Sequence, residues 1–133
     1  MITLEDWVTS SGRFKNRADS PELTKAVIIY ATLLLERVNK ALKELGVGKV
    51  SLSSGFRPQS VNKKVGGAKL SGHTLGMALD IIDDKDHSLA KLFTRDVLIK
   101  FDLYREDTTY TKGKNSNWMH LDYTIRKNRI FKP

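Results

Sequence analysis

The run from Ser53 to Asp80, SSGFRPQSVNKKVGGAKLSGHTLGMALD, gathers an Arg-Pro step, a glycine pair, a His and an Asp into one continuous stretch. His73 and Asp80 stand seven residues apart in SGHTLGMALDI, and a second His with apolar neighbours, His120 in NWMHLDY, follows forty residues later. Catalytic zinc favours three protein ligands and one open position, and two imidazoles with one carboxylate suit its charge and borderline softness. His73, Asp80 and His120 therefore form a candidate zinc triad. A His in a glycine-flanked loop and an Asp on the following strand can converge on one point, with His120 on a neighbouring strand closing the third corner. The competing reading is that these are ordinary buried or surface histidines. His87, in DDKDHS, reads as a helix-start or surface residue.

The rest of the chain looks like support for that stretch. Its 133 residues, 40% hydrophobic, fit one domain spanning 1–133, large enough to bury a core without disulfides or a structural metal. No cysteine is present, which excludes thiolate zinc sites and Cys nucleophiles and leaves imidazole and carboxylate as the strong ligands. The net charge of +8 favours polyanions, anionic cell-wall polymers among them. The charge is scattered, and the chain has neither an aromatic-basic stacking pattern nor a recognition helix, so no nucleic-acid partner is expected. We expect a monomer. No stretch of 18 apolar residues occurs, and MITLEDWVTS is acidic where a secretory signal is basic and then apolar. The expectation is cytosolic synthesis with release by another route, or secretion with the signal already removed.

Along the chain, Ile2, Leu4, Trp7 and Val8 predict a short N-terminal turn or helix with Trp7 plugged into the core, followed by a polar loop through SSGRFKNRADS. Ser20, Pro21 and Glu22 read as N-cap, first helical position and dipole partner of a helix running to Leu45 and stopping at Gly46. Leu23, Val27, Tyr30, Leu34, Val38, Ala41 and Leu45 recur at the spacing of one buried face, and Ile28, Ile29, Leu33 and Leu35 widen it enough to suggest a helix covered on both sides. Strands are expected at Val47–Ser53, Leu75–Ile82, Leu103–Glu106, Trp118–Ile125 and Arg129–Phe131, with a second amphipathic helix over Ser88–Phe101. Gln59–Ala68 offers one helical turn at most, and Thr108–Asn117 reads as a mobile flap.

The pattern SGFRPxxxNxxVGG, then SGHxxGxAxDI and later WMHLD, strongly resembles the family of zinc D-alanyl-D-alanine carboxypeptidases and L-alanyl-D-glutamate endopeptidases, which shares its fold with the hedgehog signalling domain. The likeness covers roughly residues 21–125. It implies an α+β fold: a small, mainly antiparallel sheet with a long N-terminal helix and a second helix. It also implies Zn2+ held by His73, Asp80 and His120, with Arg57 holding substrate or polarising its carbonyl and Ser71 lying against substrate. Asn62 and Gly66-Gly67 match the turn that presents the substrate loop. Arg57 could instead be a surface loop charge, and Ser71 could simply cap the turn at Gly72.

One position departs from the family pattern. Where many members carry a Glu or Asp three residues before the last His as general base, this chain has Asn117. Asp122, two residues after His120 on the same strand face, is the first replacement, with a role as a hydrogen-bonded partner orienting a ligand as the alternative. Glu106 and Asp107 are weaker candidates. The activity expected from the resemblance is zinc-dependent hydrolysis of a peptide bond in bacterial peptidoglycan, in a phage or prophage endolysin or a host wall enzyme. The alternative is a catalytically impaired, zinc-containing wall-binding domain.

Overall fold

The computed structural model describes residues 1–10 and 17–133. The centre of the polar loop expected after Ser10 thus falls outside the described residues, and its far end, Arg17–Asp19, is a 3-10 turn. Helix α1 (Leu4–Thr9) opens with a reciprocal capping box between Thr3 and Asp6, which satisfies two backbone donors at its first turn. It delivers Trp7 to the core as expected: the side chain is fully buried, stacks on Phe56, and donates its indole N–H to the Ala78 carbonyl at 3.0 Å.

The long helix α2 spans Lys25–Glu44 and starts later than the Ser-Pro-Glu punctuation predicts. Thr24 is its N-cap, accepting from the Val27 N–H. Ser20 instead closes a turn by accepting from the Glu22 N–H, and the Glu22 carboxylate is drawn off to the Gln59 N–H. The buried face is Val27, Ala31, Leu34, Leu35, Val38, Ala41 and Leu42. The opposite face is open to solvent, with Ile29, Tyr30 and Leu33 all exposed, so the helix is covered on one side only.

Five strands form one sheet in the order β1 (Leu52–Ser54), β2 (Ala78–Asp83), β4 (Asn117–Asp122), β3 (Tyr104–Glu106), β5 (Ile130–Phe131), antiparallel except for the β3–β5 pair. This is the α+β arrangement the sequence predicts. On β2 and β4 the alternation is sharp. Leu79, Ile81, Met119 and Leu121 enter the same core as the buried stripe of α2, while Asp80 and His120, which pair in register, occupy the other face.

The connections carry more helix than expected. Gln59–Lys64 is a six-residue helix, α3, anchored by buried Val61 and Asn62. Gly72–Leu75 is a single-turn helix, α4, so β2 begins three residues later than the alternating pattern suggests. The amphipathic stretch expected as one helix is two, α5 (Ser88–Leu92) and α6 (Arg95–Lys100). The break lies at Phe93, which turns fully into the core, and Thr94, which caps α6 by accepting from Val97 N–H. The expected flap contains a 3-10 turn, Thr108–Tyr110, capped by Asp107.

Candidate metal centre

Helix α4 exists to hold His73. The Ser71 hydroxyl accepts from the His73 N–H at 3.2 Å, and the Ser71 carbonyl accepts from the Thr74 hydroxyl at 2.7 Å. At the other end Gly76 adopts φ 86, and a Cβ there would come within 2.3 Å of the Val27 carbonyl oxygen on α2. Only glycine lets the turn close against that helix. His73 is thereby fixed in the interior, its Nδ1 2.8 Å from the Gly55 carbonyl oxygen. A carbonyl can only accept, so Nδ1 carries the proton and Nε2 presents a lone pair. Nε2 lies 3.3 Å from Asp80 Oδ2 yet makes no hydrogen bond. Burial, outweighing the pull of Asp80, keeps the imidazole's pKa below its ordinary value.

Asp80 projects from β2 directly opposite His120 on β4. Its Oδ1 is 2.7 Å from His120 Nδ1, and on the far side of that ring Nε2 is 3.2 Å from Asp122 Oδ2. Burial alone would raise the Asp80 pKa, but the two imidazoles hold it well below the carboxylate range. Burial alone would lower that of His120, but Asp80 and Asp122 together push it up to about 10. In the metal-free protein His120 is therefore a cation between two anions.

One donor atom from each of His73, Asp80 and His120 lies within 4.8 Å of the others. Each imidazole is anchored through its outer nitrogen, His73 to the Gly55 carbonyl and His120 to Asp122, leaving the inner nitrogens turned toward Asp80. The buried, unbonded Nε2 of His73 is the decisive atom, since its unpartnered lone pair sits within reach of a carboxylate and a second imidazole, where a bound cation would satisfy all three. Two nitrogens and a carboxylate, with hydrogen-bonded outer atoms, are a donor set that fits zinc.

The Peptidase M15 family model matches residues 2–122 of the chain. The protein belongs to the Peptidase M15 family. M15 peptidases are zinc enzymes, and the His-Asp-His group of this member can hold a metal. No curated protein matches the chain.

Next to the His-Asp-His group of this M15 member, Arg57 is half-buried, its backbone N–H donating to the His73 carbonyl and its Nε buried without a hydrogen-bond partner among the described residues. Burial lowers its pKa, with Asp80 pulling the other way. Ser71 caps α4, the plainer of its two readings. The loop before it is shaped by Asn62, whose amide donates to the Ala68 carbonyl at 2.7 Å while its Oδ1 occupies the space a Cβ on Gly67 would need.

Asp122 is wholly buried, and its carboxylate is engaged by His120, by the Arg126 guanidinium at 2.8 Å and by the Thr124 N–H. Burial raises its pKa, but His120 and Arg126 more than reverse that. Asn117 lies on the face of β4 away from His120. Its amide donates to the Asp84 and Lys85 carbonyls and meets His87 Nε2 at 3.2 Å. His87, buried at the start of α5, belongs to that bracing and not to the metal centre.

Glu106 on β3 is half-buried on the metal face. Burial raises its pKa, and it lies within electrostatic reach of His120, Asp80, Asp122 and Arg126. Its nearness to the triad shows only when strand register is known.

Proposed function

We propose that this M15 member is a zinc peptidase that hydrolyses a peptide bond in the stem or cross-bridge peptides of bacterial peptidoglycan, as a D-alanyl-D-alanine carboxypeptidase or an L-alanyl-D-glutamate-type endopeptidase. The observation that carries this reading is the unbonded Nε2 of His73 facing Asp80 and His120, with a half-buried arginine alongside. His73, Asp80 and His120 would hold the ion. Bound zinc supplies Lewis acidity, polarising a carbonyl and making water a better nucleophile at neutral pH.

The chain's own residues do the rest. Arg57, half-buried and in no ion pair among the described residues, takes the oxygen on which negative charge builds as the scissile carbonyl is attacked. Asp122 serves in the second of its two expected roles: it holds His120 by Nε2 so that Nδ1 keeps facing Asp80. The Ser71 hydroxyl, at the mouth of α4, can contact substrate while still accepting from His73 N–H. The +8 charge favours residence on an anionic wall polymer, which suits a wall lytic enzyme of phage or host origin.

The test is release of peptides from purified cell walls. Chelation should abolish it and added zinc restore it, and mass analysis of the fragments should name the bond. Cleavage that ignores chelators sinks the reading. The absence of a carboxylate at Asn117 favours a second reading, a zinc-containing domain that binds wall peptide without cutting it. Tight zinc binding with no release from any wall substrate would select that one.

A further inference from the structure

The expected base position, Asn117, faces away from the triad, and the Asp122 carboxylate is already committed to His120, Arg126 and the Thr124 N–H. A hydrolase of this kind still needs a group to move a proton from water to the departing amine. Strand register points to one. β3 and β4 pair antiparallel with Tyr104 opposite Asp122 and Arg105 opposite Leu121, and one further step along the ladder brings Glu106 opposite His120. Asp80 flanks His120 from the other side, and Phe131 on β5 pairs with Glu106. Asp80, His120, Glu106 and Phe131 therefore form one row across four strands, all on the metal face. Phe131 sets its ring edge-on to His120, with centroids 6.1 Å apart, and lies under the Arg126 guanidinium at 3.7 Å.

We infer that Glu106 is the general base of this enzyme, its carboxylate facing the ligand triad from β3 in place of the residue the family places before its last His. Among the described residues no hydrogen bond or ion pair engages that carboxylate, whereas every other acid near the triad is spoken for. Asp107, its neighbour, is committed to capping the 3-10 turn, accepting from the Thr109 N–H. In the step, the water oxygen bonds to the scissile carbonyl carbon while Glu106 takes the water's proton. Glu106 then passes that proton to the amide nitrogen as the carbon–nitrogen bond breaks, releasing a carboxylic acid and an amine, which together exchange the remaining proton to become carboxylate and ammonium.

This assignment rests on the peptidase reading, and two measurements on the full chain separate them. Zinc affinity of Glu106→Gln, from competition with a chromophoric chelator, should match the wild type within about twofold, because a base is not a ligand. Binding of acetohydroxamate to the zinc-loaded protein needs no turnover, and its N–O–H proton must go to a nearby carboxylate. Glu106→Gln should weaken it by roughly tenfold or more, the value of a hydrogen bond to a charged group. On wall substrate the same variant should lose about 10²–10⁴-fold in kcat with little change in KM. Hydroxamate binding that is indifferent to Glu106→Gln, or a large loss of zinc, overturns the assignment. A wild-type protein whose hydroxamate binding depends on Glu106 but which releases nothing from walls overturns the peptidoglycan reading alone.

Discussion

His120 Nε2 stands 3.2 Å from Asp122 Oδ2, on the side of the ring turned away from Asp80. Because Asp122 is also fastened to Arg126, the ring of His120 is set by the protein before any ion arrives.

If Asp122 orients a ligand, Asp122→Asn should weaken zinc binding by about 10–100-fold, with any loss of turnover largely recovered at saturating zinc. Metal competition titrations alongside kinetics make the distinction. Full zinc affinity with turnover destroyed would instead make Asp122 the base.

Arg57 has no structural partner for its Nε, so its removal should be felt mainly in the reaction. Arg57→Ala should lower kcat by about 10²–10³-fold while zinc affinity holds. Arg57→Lys should recover little of this, because an ammonium lacks the planar fork of donors. Recovery to wild-type rates in the lysine variant would show that charge alone matters.

The metal-free protein should lose stability as pH rises. His120 has a folded-state pKa pushed up to about 10 against an ordinary value of 6.5, so its contribution is fully present below 6.5 and is lost as pH climbs through about 10. Zinc held by His120 would take the place of that proton, so loading should flatten the dependence. Thermal midpoints at about pH 6 and about pH 9.5, with chelator and with zinc, provide the comparison. A flat apo profile across that window contradicts the ion-pair arrangement.

Gly76→Ala should destabilise the fold by about 1–3 kcal/mol, since it forces a side chain into the left-handed region and toward a carbonyl on α2. Because Gly76 ends the helix that carries His73, zinc affinity should fall as well. Urea unfolding with a zinc titration reads both effects, and an unaltered midpoint would mean that α2 yields more easily than its packing implies.

The stretch from Ser53 to Asp80 made most of the family pattern and two of the three candidate ligands legible because the chemistry is local there: a capped turn, a required glycine and an alternating strand. Helix ends were less legible. Ser20 and Thr24 are both good caps, and the choice between them depended on Gln59, distant in sequence, recruiting the Glu22 carboxylate. The apolar residues of α2 predicted a helix covered on both sides, but the domain has one main core and leaves Ile29, Tyr30 and Leu33 in water.

By itself the sequence determined the α+β class, the membership suggested by its motif and the three residues that can gather around an ion, because each is written in side-chain type and short-range spacing. Only the tertiary structure decided which nitrogen of each His faces inward, that Asp122 backs His120, and that Glu106 stands in the same row as Asp80 and His120. The His73 tautomer is set by the distant Gly55 carbonyl and the Glu106 row by strand register, both of which depend on pairing between segments far apart in the chain.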